Sequence, residues 1–314
     1  MEDVTTSASA AFLKCLLVSS SLTFPLLLLY SIYFMFVKRK PQSLRLPLQT
    51  TYSPDIHPDR LFDAPTNDLS IIIPAYNEEK RLPDTLVNTY KYFASIPNFN
   101  FEIIIVSDGS TDDTMNFVHT FSSTHPSVRY VQLGRNKGKG FAVKTGFHFA
   151  AGEMVLFMDA DGATDLKSFK KLNVHLSRLL HSDLSSPAVI FGSRAHLVEE
   201  SMVRRSLLRT LLMKAFHLVV WSVVGSKIKD TQCGFKLFSR SASQIIIPGL
   251  HINRWAFDVE ILYRALKLGV DVEEVAVDWE EKEGSKLNIA SDSLQMLRDL
   301  VYIRLCYLFG IWTI

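Results

Sequence analysis

The sequence predicts an α/β domain, Rossmann-like in its first half, behind one N-terminal transmembrane helix. Three observations carry this. From Leu69 onward, short and nearly all-apolar runs alternate with amphipathic stretches. Three of those runs end in a polar cluster: Tyr76-Asn77-Glu78, Asp108-Gly109 and Asp159-Ala160-Asp161. Finally, nothing between Cys15 and Val37 is charged, and the run stops at Lys38-Arg39-Lys40. Apolar strands separated by helices describe a parallel sheet covered on both faces. In such sheets ligands bind at the carboxyl ends of the strands, where the polar clusters fall.

The N-terminal run has 23 residues, about 34 Å as a helix, against a hydrocarbon core of roughly 30 Å. Phe34-Met35-Phe36 lead straight into the basic cluster with no small-residue cleavage site, so an uncleaved anchor is expected rather than a signal peptide. Pro25 is tolerable in a membrane helix. Glu2 and Asp3 precede the run, and Lys38, Arg39, Lys40 and Arg45 follow it. Positive residues stay cytosolic, so the rest of the chain is expected on that side. Residues 1–40 are thus read as the anchor and 41–68, rich in proline and polar groups, as a linker. Residues 69–290 form the main domain, and 291–314 an amphipathic, membrane-associated tail.

Within the main domain, Leu69 to Ile73 reads as a strand and Arg81 to Phe93 as a helix. Glu102 to Val106 and Arg129 to Leu133 are further strands. Gly140 to Ala151 is helical, and Met154 to Met158 is a buried strand. Leu207 to Val224 is apolar but studded with Arg209, Lys214 and His217 just after Arg204 and Arg205. It reads as a helix lying on a membrane surface, or else as an ordinary core helix.

Composition narrows the function. The net charge of +2 has no long run of one sign, which argues against nucleic acid as a partner. Three scattered cysteines make neither a disulfide framework nor a zinc site, and they fit a reducing compartment.

Asp159 and Asp161, two residues apart past a strand's end, can give hard oxygen ligands to Mg²⁺ or Mn²⁺. Alternatively they cap a strand–loop–helix junction together with Gly162 and Asp165. Asp108 can hydrogen-bond a base or ribose while Gly109 lets the backbone come close; Thr111 or Asp112 can cap the next helix. Asn136-Lys137-Gly138-Lys139-Gly140, two ammonium groups and glycines before a helix, suits an anion, or is a solvated basic turn. Its spacing is not that of a P-loop.

Taken together and in order, Ile71-Ile72-Ile73-Pro74-Ala75-Tyr76-Asn77-Glu78, Asp108-Gly109-Ser110, the lysine–glycine loop and Asp159-Ala160-Asp161 resemble the GT-A fold glycosyltransferases of family 2. Phe191-Gly192-Ser193-Arg194, Asp230-Thr231-Gln232-Cys233-Gly234-Phe235-Lys236 and Arg254-Trp255-Ala256-Phe257-Asp258-Val259-Glu260 are similar to the family's polyprenyl-phosphate sugar transferases. The resemblance covers about residues 69 to 290.

It implies a nucleotide diphospho-sugar transferase domain at the endoplasmic reticulum membrane, with UDP-glucose as the sugar donor, dolichyl phosphate as acceptor and the lipid bilayer as a partner. It further implies that Pro74, Ala75, Tyr76, Glu78 and Asp108 hold the nucleotide and that Lys137, with Gly138, lies near base or ribose. Asp159 would contact ribose and metal, Asp161 metal and diphosphate, and Arg194 the acceptor phosphate. Asp258 and Glu260 would organise the acceptor side or act as a base, or simply serve a helix dipole. Mannosyl relatives carry other residues where this chain has Gly162-Ala163-Thr164, which points away from GDP-mannose. Two rivals stand beside this reading. A processive polysaccharide synthase needs several membrane helices, and a noncatalytic nucleotide-binding scaffold would have no use for both carboxylates.

Overall fold

The computed structural model describes residues 46–180, 185–197, 225, 228–282 and 289–314. The expected anchor at 15–37 and the basic apolar stretch at 207–224 lie outside the described residues. Among those described, no helix is long and apolar enough to cross a membrane.

Eight strands form one sheet: β1 (Thr51–Tyr52), β2 (Asn67–Ala75), β3 (Phe101–Ser107), β4 (Val128–Gln132), β5 (Gly152–Met158), β6 (Ala188–Ser193), β7 (Phe235–Ser239) and β8 (Asp271–Ala276). The helices are α1 (Leu82–Ala94), α2 (Thr114–Thr124), α3 (Lys139–His148), α4 (Ser168–Leu179), α5 (Arg240–Ile246), α6 (Phe257–Lys267) and α7 (Ile289–Leu308). The order across the sheet is β1-β4-β3-β2-β5-β7-β6-β8. β4, β3, β2 and β5 run parallel, the doubly wound half that the alternating pattern predicts.

The rest of the sheet departs from the all-parallel expectation. β7 lies antiparallel between β5 and β6, and β6 pairs in parallel with β8. An antiparallel strand needs no crossover helix. β7 can therefore enter from the opposite edge, which brings residues 230–236 beside the end of β5.

Both faces are covered, as expected. Ile71 and Ile73 of β2 and Ile103 and Ile105 of β3 pack under α1, α2 and α4, through Leu86, Phe93, Val118 and Leu172. Opposite, α3 sits so close that a Cβ on Gly146 would fall 2.3 Å from Ile72 Cγ2. On that face Phe147 of α3 meets Phe238 at 5.0 Å, and Phe257 of α6 meets Phe157 at 5.8 Å.

The linker expectation needs correction. The described residues of this stretch, from Leu46 onward, belong to the same compact unit as the domain. β1 adds an antiparallel edge to β4, Ile56 and Leu61 are buried, and Arg60 reaches Glu102 at 3.0 Å. Glu102 is a buried carboxylate in a central strand, and Arg60 together with the Ser70 hydroxyl and the Ala151 N–H satisfies it. This pairing is invisible to a reading of local periodicity. The C-terminal segment 291–314 likewise folds onto the domain through Leu300, Ile303, Cys306 and Trp312, all buried. Leu297, Val301, Leu308 and Phe309 remain exposed.

Candidate active site

The carboxyl ends of β2, β3 and β5 open on a cavity of about 600 Å³. Its first wall is the turn after β2. Pro74, Ala75, Tyr76 and Glu78 line it, and Asn77 takes a positive φ of 55°. That turn is stitched to the one after β3: the Asn77 N–H donates to Ser110 Oγ at 3.0 Å, and the Thr111 N–H donates to Asn77 Oδ1 at 2.7 Å. Asp112 accepts the Thr114 N–H at 3.1 Å in the turn before α2, whose N-cap position is taken by Asp113.

Asp108 closes the floor. Its two carboxylate oxygens accept the backbone N–H groups of Lys137 and Gly138, at 2.7 and 2.8 Å. Burial raises its pKa to about 6, against the pull of those amides. The carboxylate expected to hold a nucleotide therefore holds the loop that faces the cavity. Gly138 has φ of 103°, a conformation that favours glycine, and a Cβ there would strike Asn253 O at 2.4 Å.

The loop's two lysines are placed differently. Lys137 contributes its backbone amide and does not line the cavity, whereas Lys139, on the first residue of α3, does. Lys139 Nζ lies 2.6 Å from Asp159 Oδ1 and over the rings of Phe157 and Trp255. Burial opposes its charge, yet Asp159, Asp258 and Asp161 together hold its pKa above the usual lysine value.

Asp159 and Asp161 share one rim. Asp161 accepts the Ala163 N–H at 3.0 Å, and Gly162 has φ of 67°, so Asp161 shapes a turn while it lines the cavity. Burial and the neighbouring Asp159 push its pKa up. Gly234 touches Asp159 so closely that a Cβ would sit 2.1 Å from Oδ2.

A divalent ion fits these residues. Asp159 Oδ1 is buried without a well-angled hydrogen bond, its near neighbour being the Lys139 ammonium. Among the described residues no three His, Cys, Asp or Glu side chains gather closely enough to cage an ion. Two carboxylates with the remaining ligands drawn from phosphate and water are the usual arrangement for Mg²⁺.

The far wall is built of ion pairs, one half-buried and one buried. Arg194 follows β6 and is gripped by Asp230 through Nε at 2.8 Å and Nη2 at 3.0 Å. Burial works against both charges, yet the pairing raises the Arg194 pKa and lowers that of Asp230. The guanidinium also lies 5.4 Å from the Trp279 ring. Asp258, in the first turn of α6, takes a 2.6 Å hydrogen bond from Lys236 Nζ, which is fully buried between the rings of Phe157 and Phe191. Burial raises the Asp258 pKa although Lys236 and Lys139 pull it down. Glu260 turns away from the cavity and binds the backbone of His251 and Ile252. Arg81, Arg254 and Trp255 also line the cavity without having been singled out for it. Lys236 had a legible signal, a lysine inside the apolar run Phe235–Phe238, where only a partnered charge survives burial.

The arrangement sets hard carboxylates against an ammonium on one side and a guanidinium on the other, which suits a ligand carrying a diphosphate.

Comparison with known proteins agrees with this geometry. The family model described as glycosyl transferase family 2 matches residues 70–245. A dolichyl-phosphate beta-glucosyltransferase of Dictyostelium discoideum is 47% identical over 253 residues, covering 78% of this chain and 76% of the relative. One from Homo sapiens is 44% identical over 260 residues, covering 81% and 80%. One from Saccharomyces cerevisiae is 42% identical over 254 residues, covering 78% and 76%. Among solved structures, glucosyl-3-phosphoglycerate synthase of Mycobacterium tuberculosis with UDP superposes with a TM-score of 0.54 at 16% identity, over 76% of this chain and 80% of that one. The same enzyme with Mn²⁺, UDP and glucosyl-3-phosphoglycerate gives 0.53 at 17% identity, over 76% and 80%. At that identity the likeness concerns the fold.

Proposed function

The chain belongs to glycosyl transferase family 2, and from that premise we propose that it transfers glucose from UDP-glucose to dolichyl phosphate, giving dolichyl β-D-glucosyl phosphate and UDP. The observation that carries this is the alignment, over most of the chain, with relatives that bear that activity in their names. The cavity supports it: an acidic pair, Lys139 and Arg194 converge where a nucleotide diphospho-sugar and a phosphate acceptor have to meet.

In this mechanism an acceptor phosphate oxygen attacks the anomeric carbon in line. The bond to the UDP oxygen breaks, and the configuration inverts. A phosphate monoester has its second pKa at about 6, so the acceptor arrives largely dianionic and needs little help from a base. Asp159 and Asp161 would hold Mg²⁺ or Mn²⁺, which when bound supplies positive charge to the departing diphosphate. Lys139 adds an ammonium at the same place, and Asp108 keeps its loop in register. Arg194, oriented by Asp230, faces the acceptor phosphate. Asp258 is paired with Lys236, so its part is to fix that wall. Catalysis then rests on placement and on charge set out in advance for the leaving group.

The same reading puts the enzyme on the endoplasmic reticulum membrane, anchored by residues 15–37 with the domain in the cytosol. Its support is the charge asymmetry around the apolar run. In intact microsomes added protease should digest the domain, and protection until detergent is added would reverse the orientation.

The deciding experiment is a panel of sugar donors. Full-length protein in detergent receives labelled UDP-glucose, UDP-GlcNAc or GDP-mannose with dolichyl phosphate, and lipid-soluble label is counted. UDP-glucose should dominate; equal or greater labelling from GDP-mannose overturns the glucosyl assignment, and no transfer from any of them leaves the scaffold reading.

A further inference from the structure

Residues 250–256 arch from the end of the α5 region to the start of α6, and their inner side rests on the loop that opens α3. Asn253 O accepts the Phe141 N–H at 3.0 Å, sharing it with Gly138 O at 3.0 Å, and a Cβ on Gly140 would fall 2.6 Å from Ile252 O. Arg254 and Trp255 descend from this arch into the cavity. Arg254 Cγ lies where a Cβ on Gly138 would meet it at 2.8 Å, and the Trp255 ring is 5.8 Å from Lys139 Nζ. Whatever fixes the arch therefore fixes two cavity side chains and the roof of the nucleotide loop.

Two buried charges outside the cavity grip the arch from behind. Lys144 donates to Pro248 O at 3.1 Å and Leu250 O at 2.9 Å. Glu260, fully buried, accepts the N–H groups of His251 at 2.9 Å and Ile252 at 2.7 Å, with His251 Nδ1 2.9 Å from its other oxygen. The chain's last residues close on the same spot. The Tyr307 hydroxyl donates to Glu260 Oε1 at 3.0 Å, the Trp312 ring stacks on that of His251 at 4.2 Å, and Arg264 donates to Thr313 O at 3.1 Å. Burying a carboxylate is costly unless several donors meet it. Here the donors are the arch backbone and the C-terminal segment, so one group ties the two together.

We propose that Glu260 is a positioning residue for nucleotide binding: it acts through the 250–256 arch to place Arg254 and Trp255, and the C-terminal residues Tyr307 and Trp312 brace it. This rests on reading the cavity as a nucleotide-sugar site.

The test uses full-length protein in detergent with UDP and Mg²⁺ as the probe. Glu260→Gln removes the charge and puts an amide NH2 where one oxygen met the His251 and Ile252 N–H groups or the Tyr307 hydroxyl and His251 ring, and UDP affinity should fall about tenfold, the size of a disrupted buried hydrogen-bond set. The KM for dolichyl phosphate should hardly move. Arg254→Ala should weaken UDP by itself, and adding Glu260→Gln to it should cost little more, because the two act as one unit. Tyr307→Phe, which leaves the carboxylate in place, should give the same pattern at about threefold. A purely structural role would lower the melting temperature and leave the affinity of the folded protein alone. Unchanged UDP affinity in Glu260→Gln and Tyr307→Phe, or full additivity with Arg254→Ala, overturns the proposal. Hydrogen exchange of the Phe141 amide, read with no nucleotide present, should quicken in both variants. Unchanged protection there refutes the positioning role independently of what the cavity binds.

Discussion

On the β2–β3–β5 side, the cavity is made by turns that a few neighbouring residues dictate: Asn77 against Thr111, Asp161 against Ala163, Asp108 against the amides at 137 and 138. The β6–β7–α6 side is held instead by charged pairs drawn from distant segments, Arg194 with Asp230 half-buried at the cavity and Lys236 with Asp258 buried behind it. The first wall is polar backbone offered to a ligand at the edge of a sheet. The second stores its order in side chains that cannot lose a partner without leaving a buried charge. Changes to the first wall should therefore show mainly in chemistry, and changes to the second in folding.

The largest expected effect breaks the second wall. Lys236→Met leaves Asp258 buried and unpaired, and removing one partner of such a pair costs about 3–5 kcal/mol. Chemical denaturation should show that loss, while Lys236→Met with Asp258→Leu should recover much of it. A single variant as stable as the parent would erase the contrast between the walls.

Next comes Asp161→Asn, which keeps the turn and removes the charge. Turnover should fall on the order of 10²-fold or more with the melting temperature nearly unchanged, the scale of one lost electrostatic contact to the leaving group. Rates measured against Mg²⁺ or Mn²⁺ concentration check it. A near-normal rate at low metal means that Asp161 is a turn residue only.

Gly234→Ala probes the seam between the walls. The added Cβ would lie 2.1 Å from Asp159 Oδ2, so the carboxylate must swing away. Because the clash is with the tip of a side chain, stability should change little. Activity should drop about 10- to 100-fold, since displacements near 1 Å at a reacting centre cost that much.

The smallest effect is one of pH. Asp108 titrates at about 6 because it is buried. Below that pH it protonates and can no longer accept both loop amides, so UDP affinity should decline by a few fold from pH 7 to pH 5. Asp108→Asn should bind weakly with that step removed. Stability runs the other way: the folded pKa lies above the ordinary carboxylate value, so this group's contribution is full below about pH 4 and is lost as pH rises through about 6. Equal UDP affinity at both pH values would remove Asp108 from the loop's support.

How much of this could be read beforehand follows the same division. The helices and strands of the first half sit within a few residues of their expected bounds, since apolar periodicity reports burial residue by residue. The packing of residues 46–68 onto the domain and the different placing of Lys137 and Lys139 came from long-range facts. β1 is two residues long and exists through its pairing with β4, and both lysines look alike until the loop is folded over Asp108. Gly234 stands in the sequence within the Asp230–Lys236 motif, and its closeness to Asp159 appears once β7 lies beside β5.

The sequence alone determined the α/β class, the parallel first half, the acidic pair at the end of β5 and the family resemblance, because each is written in residues adjacent along the chain. Tertiary structure decided the antiparallel entry of β7, which lysine faces the cavity, the pairing of Lys236 with Asp258 and the hub at Glu260. Those depend on segments from 22 to 47 residues apart or more meeting in a dry interior. There a charge is tolerated only beside its partner, and the choice of partner is made by the fold.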